Sequence, residues 1–198
     1  MQSDERKISR IARLNKSKKL NEGRLILSGE VLRINHESLN DRVFTKSAVA
    51  KALLEYDLLN AEQSDWVVVG EFEHPECAID DCDERVERYR TRMRIPENLF
   101  LNSDSYSDSN SRVQNVSHIV RGLYFNGSRD SVDVVVEVIE QSEAGREVKE
   151  IYENGGVVGA SVRAWGVSEE DFELITVDLV RQPAQRCAFL QPHLVKYL

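Results

Sequence analysis

The chain has 198 residues, 41% of them hydrophobic and 30% charged, with a formal net charge of −8 at pH 7. That length buries one ordinary core, and the acidic balance argues against a dedicated, specific nucleic-acid binder. No apolar run approaches the roughly 20 residues of a membrane span, and the charged start of the chain lacks the apolar core of a signal peptide, so a soluble, non-exported protein is expected. Cys77, Cys82 and Cys187 are an odd set in a chain of this size, which fits reduced thiols in a reducing cytoplasm better than a disulfide framework.

Residues 1–24 are basic on an acidic protein, with Arg6, Lys7, Arg10, Arg13, Lys16, Lys18, Lys19 and Arg24, and only a weak helical period through Ile8, Ile11 and Leu14. They are expected to be a flexible N-terminal tail, with one folded domain over 25–198. From Arg24 to Ile34 the pattern of Leu25, Leu27 and Val31 predicts a strand, and Thr45 to Tyr56 a helix capped by Thr45 or Ser47. Trp66 to Phe72 predicts a valine-rich strand that delivers Glu71, Glu73 and His74 to its end before Pro75 stops the ladder.

Glu76 to Glu84 is acidic and cysteine-bearing, and Arg85 to Arg90 alternates in a way that fits a short exposed strand or a charged helix. Asn102 to Ser111 is a Ser/Asp/Asn stretch expected to be a surface loop. Val113 to Phe125 and Val132 to Ile139 predict a hairpin around the Asn126-Gly127 turn signal. A helix over Ser142 to Tyr152, stopped by Asn154-Gly155-Gly156, precedes strands over Val157 to Trp165 and Phe172 to Val180. The expected class is mainly β with helices, an α+β fold whose strand succession points to a barrel.

Chemistry concentrates in Gly159-Ala160-Ser161-Val162-Arg163-Ala164-Trp165-Gly166, where one serine sits in an apolar, glycine-punctuated strand. Serine is a weak nucleophile, so Ser161 in that role obliges the chain to supply a base, a group orienting the base and an oxyanion site. Of His36, His74, His118 and His193, His74 is best placed as base, with Glu71 and Glu73 able to hold its imidazolium. Asp178 lies among β-formers, where a carboxylate needs a partner or solvent. Either alternation turns it outward with Thr176 and Val180, or it faces Ser161 across neighbouring strands and orients a histidine. His118, preceded by Ser117, competes for that role. Arg163 projects to the same face as Ser161, where it or local backbone N–H groups could stabilise an oxyanion.

Five blocks in order, Leu39-Asn40-Asp41-Arg42-Val43-Phe44, Gly70-Glu71-Phe72-Glu73-His74-Pro75, Val116-Ser117-His118, Gly159 to Gly166 and Val177-Asp178-Leu179-Val180 with Pro183-Ala184, together resemble the prohead core proteases of large tailed bacteriophages. That family is similar in fold to the herpesvirus assemblins, which implies an assemblin-like β-barrel surrounded by helices, with Ser161 as nucleophile, His74 as general base, Asp178 as third member and His118 as its alternative. The resemblance implies an endopeptidase needing no cofactor or metal, located in the host cytoplasm inside the assembling prohead, with scaffold or core proteins and the major capsid protein as substrates, and self-association as a further option. It also implies cleavage after Glu two positions beyond an aliphatic residue, a pattern found at Leu20-Asn21-Glu22. Glu22, where tail meets domain, is the candidate for self-cleavage. Two other readings stand beside this one: a metal-binding module using His74, Cys77, Cys82 and Cys187, and a non-catalytic capsid or scaffold component.

Overall fold

The computed structural model describes residues 24–61, 65–73, 93–97, 115–168 and 170–192. Strands β1 (Ile26–Arg33), β2 (Trp66–Glu71), β3 (Arg94–Pro96), β4 (Val116–Asn126), β5 (Ser131–Val138) and β8 (Gln191–Pro192) form a six-stranded sheet in the order β3-β2-β4-β5-β1-β8. Every neighbouring pair in it is antiparallel. Strands β6 (Gly159–Ser168) and β7 (Asp171–Val180) form a separate antiparallel ribbon. Two helices, α1 (Lys46–Ala61) and α2 (Glu143–Glu153), complete the described elements.

The core forms where the alternating apolar positions of these strands meet the helices. Leu27, Val31, Val134 and Val136 from the central strands pack with Ala48, Val49, Ala52 and Tyr56 of α1, and with Ala160, Val177 and Leu179 of the ribbon. Phe44, just before α1, meets Phe172 of β7 edge to face at 5.0 Å. Helix α2 starts where Ser142 accepts the amide of Gly145, an N-cap. It ends at Gly155, whose φ of 77° suits the left-handed position past a helix C-terminus.

Helix α1 runs past Tyr56, the predicted end, to Ala61. The predicted hairpin is present, but residues 127–130 make its loop, closed by the Asn126–Ser131 pair. The Asn126 side chain accepts the Ser128 amide and hydroxyl, which folds the longer loop onto itself. The predicted surface loop, the ambiguous stretch through Arg90 and residues 1–23 of the N-terminal tail lie outside the described residues, while Arg24, the last residue given to that tail, pairs with Glu137 of β5.

The expected barrel is corrected: among the described residues the strands make an open sheet and a ribbon, with no closed barrel. The reason lies in what joins the two. Backbone pairing between them is limited to isolated bridges, Phe72 with Leu179 and Gly159 with Phe189. Between β2 and β7 most of the bonds involve side chains instead. Thr176 donates its hydroxyl to the Val69 carbonyl at 2.7 Å, and the Glu71 amide donates to Asp178 Oδ1 at 3.0 Å. His118 of β4 reaches across β2 to the Val177 carbonyl at 2.9 Å.

That last contact passes over Gly70. A Cβ there would stand 2.0 Å from the Val177 carbonyl oxygen and 2.4 Å from the His118 ring. Gly70→Ala is therefore expected to destabilise the fold by about 3 kcal/mol through overpacking, read as a lower urea midpoint; an unchanged midpoint would mean that the ribbon is not held against β2 in this way.

Candidate active site

Ser161 pairs directly with Asp178 across the ribbon. Directly opposed residues share a face, as do residues two apart on one strand, so Ser161, Arg163, Asp178 and Thr176 lie on one face and Ala160, Val162, Val177 and Leu179 on the other. The second face enters the core. On the first, Ser161 is half-buried, while Asp178 and Thr176 are fully buried. Asp178 thus faces Ser161, and the outward alternative with Thr176 and Val180 does not describe it: all three are buried.

Asp178 is held by a charged network. Arg163 donates Nε to Oδ2 at 2.8 Å and Nη2 to Oδ1 at 2.7 Å, a fork grip on the carboxylate. The same Nη2 donates to Glu71 Oε2 at 2.8 Å, and Nη1 lies 3.6 Å from the Met93 sulfur. Glu71 closes the ring through its amide to Asp178. Burial works against the Arg163 charge, but the two carboxylates outweigh it and hold the guanidinium above its ordinary pKa. Among the sequence candidates, Asp178 and Arg163 therefore meet, with Glu71 added to them, and Ser161 shares their face of the ribbon. Glu71 was read only as a support for histidine. A carboxylate at the end of an apolar strand carries the same burial cost as Asp178, and that was the available signal.

The end of β2 is tied to the same ribbon. Glu73, in a left-handed backbone conformation with φ 63°, donates its amide to the Leu179 carbonyl at 2.8 Å. Its carboxylate accepts Arg181 at 3.1 Å, and the Arg181 guanidinium sits 4.7 Å from the Phe72 ring centre. Glu73 is the residue before His74; His74 itself, Glu22, Cys77, Cys82 and His193 lie outside the described residues.

His118 is fully buried and elsewhere engaged. Nε2–H donates to Val177, which fixes the tautomer, and Nδ1 accepts the Ser117 hydroxyl at 2.7 Å. Desolvation pushes its pKa down to about 4, against the opposing pull of Asp178. No hydrogen bond joins it to Ser161 among the described residues. A neutral imidazole with both nitrogens occupied is built to join strands. His36 is exposed on the loop after β1.

Cys187 donates its thiol to Glu30 at 2.9 Å, and burial followed by that carboxylate pushes its pKa up to about 11. Among the described residues no three His, Cys, Asp or Glu side chains converge as metal ligands, and no described helix is long and apolar enough to cross a membrane.

No protein-family model matches the chain, and no curated protein does. Among solved structures it is similar to the bacteriophage T4 capsid assembly protease, gp21, with a TM-score of 0.51 and 17% sequence identity, over 80% of this chain and 82% of that one. The chain has the fold of a phage capsid assembly protease. At that identity the likeness is one of architecture, and the roles of individual residues rest on the geometry above.

The depressed His118 pKa has a measurable consequence. A histidine titrating near 6.5 when unfolded and near 4 when folded is protonated first in the unfolded chain. Stability should therefore fall as pH drops from about 6.5 to about 4, by on the order of 3 kcal/mol in total from this group. Urea unfolding at pH 7.5 and 4.5 should show that loss in wild type and its absence in His118→Gln; equal pH dependence in both would contradict a buried, neutral His118.

Proposed function

We propose that this chain is a serine endopeptidase of phage capsid maturation, with Ser161 as nucleophile, His74 as general base and Asp178 as the third member. One observation carries the assignment of residues. The chain reaches His74 from Glu73, whose amide is bonded to Leu179, and Leu179 adjoins the residue paired with Ser161. Two strand spacings, about 10 Å, separate β2 from β6 across β7, a span that serine and histidine side chains can close between them.

Asp178 has the chemistry of a third member. Its oxygens accept the Arg163 guanidinium and the Glu71 amide, which fix the carboxylate in place on the face it shares with Ser161. Buried and charged, it would keep the imidazole in the tautomer that accepts the serine proton and would stabilise the imidazolium that follows. His118, the alternative third member, has its nitrogens committed to Ser117 and Val177, so the geometry favours Asp178.

In this reading Ser161 attacks the scissile carbonyl, its proton passes to His74, and the imidazolium then protonates the leaving amine. The fold likeness and the ordered sequence blocks support scaffold or core proteins and the major capsid protein as substrates, cut after Glu in aliphatic-x-Glu sites inside the prohead, in the host cytoplasm. The same preference makes Glu22 a self-cleavage site.

Incubation with a peptide bearing an aliphatic-x-Glu site should give cleavage after Glu by wild type. Ser161→Ala and His74→Ala should each lose on the order of 10⁴-fold in kcat. Cleavage by either variant at the wild-type rate would remove the assignment and leave a capsid or scaffold component that kept the fold. Intact-mass measurement under the same conditions should show wild type losing residues 1–22 and Ser161→Ala retaining them; a wild-type tail that stays intact while peptide is cut would remove Glu22 as a processing site.

A further inference from the structure

We infer that Arg163 is a positioning residue, a buried fork that locks the strand of Ser161 to the end of β2. It is not the oxyanion donor that its spacing from Ser161 suggests. The inference rests on the proposed serine protease reading for its consequence in catalysis, and on the ion network alone for its structural content. Three separate elements meet at this one guanidinium: β6 carries it, β7 offers both oxygens of Asp178, and β2 offers Glu71 Oε2. Few backbone bonds join the ribbon to β2 at this point. The lateral position of the nucleophile relative to the residues that precede His74 is therefore set largely by side chains, and Arg163 reaches from β6 to both β7 and β2.

The direction of its donors decides the role. Nε and Nη2 are spent on carboxylates, and Nη1 lies against the Met93 sulfur. The Arg163 side chain is only 11% exposed. An oxyanion donor must aim at charge that appears in the transition state, whereas this one is aimed at two charges present throughout. Arginine suits the place because its planar fork spans two oxygens of one acid while reaching a second acid. A lysine ammonium is a point charge and cannot keep that geometry.

Displacing a reacting group by about 1 Å can cost on the order of 10²-fold in rate, so loss of the fork should appear in kcat. Removing Arg163 takes from Glu71 and Asp178 the cation they share, and the like-charge repulsion this exposes is eased by neutralising one of them. The experiment is a double-mutant cycle on the full chain with Arg163→Met, Glu71→Gln and the pair together, plus Arg163→Lys and Ser161→Ala. Each is followed by peptide cleavage and by thermal unfolding.

Arg163→Met should lower kcat about 10²-fold with KM within about threefold, and should lower Tm. Adding Glu71→Gln should recover about tenfold of the lost kcat and part of the lost Tm, because the two residues act as one unit. Arg163→Lys should fold and fall between wild type and Arg163→Met. Losses in kcat that simply multiply in the double variant would overturn the inference, as would an Arg163→Met with unchanged Tm and no coupling to Glu71; both describe an arginine acting directly on the oxyanion. If Arg163→Met fails to fold, the lysine variant carries the same cycle with Glu71→Gln. If Ser161→Ala cleaves like wild type, the protease reading falls, and the coupling in Tm still decides for or against the fork.

Discussion

The Val177 carbonyl lies where a neighbouring strand would ordinarily present an amide, and the imidazole of His118 donates to it instead. That substitution is repeated along β7: Thr176 bonds the Val69 carbonyl and Asp178 accepts the Glu71 amide, before Leu179 resumes backbone pairing with the end of β2. A buried strand must satisfy its polar groups, and here much of that requirement is met by side chains from two other strands. The cost is strict dependence on particular residues. Gly70 must lack a side chain for the imidazole to pass, His118 must stay neutral, and Asp178 must stay charged against Arg163.

The same arrangement accounts for the character of the site. Ser161 is half-buried on the polar face of a ribbon whose other face is core, which leaves it partly accessible on a rigid backing. Among the described residues the Arg163 guanidinium joins the Glu71 and Asp178 carboxylates there with little solvent contact. Charges so placed are weakly screened, so they orient neighbouring groups firmly, and the loss of one is costly to the others. Histidine chemistry divides by environment. His118 is pushed out of the physiological titration range by burial, which suits it to joining strands rather than to moving protons near neutral pH.

Much of the fold was legible. The period-two apolar runs marked β1, β2, β4, β5, β6 and β7, and the Asn154-Gly155-Gly156 stop marked the end of α2. Strand β3, three residues long, carries too short a pattern to read. The open architecture was not legible either, because alternation along a strand does not say whether its edge will meet an amide or an imidazole. At the site, Ser161, Asp178 and Arg163 were visible as polar residues in apolar strands, a cost that calls for a partner. The grip of Arg163 on Asp178 and Glu71 was not visible: Glu71 is 92 residues away from it in the chain. His118 stood as the alternative third member because a histidine in a strand carries no mark of its burial.

The account stands most directly on the nucleophilicity of Ser161. A fluorophosphonate probe, which forms a covalent phosphonyl ester only with an activated serine, should label wild type at one position. Peptide mapping should place the adduct on Ser161, with labelling slowed at least about 10²-fold in His74→Ala. Labelling at Ser161 that proceeds equally fast without His74, or a protein that cuts its peptide while Ser161 remains unmodified, would contradict it.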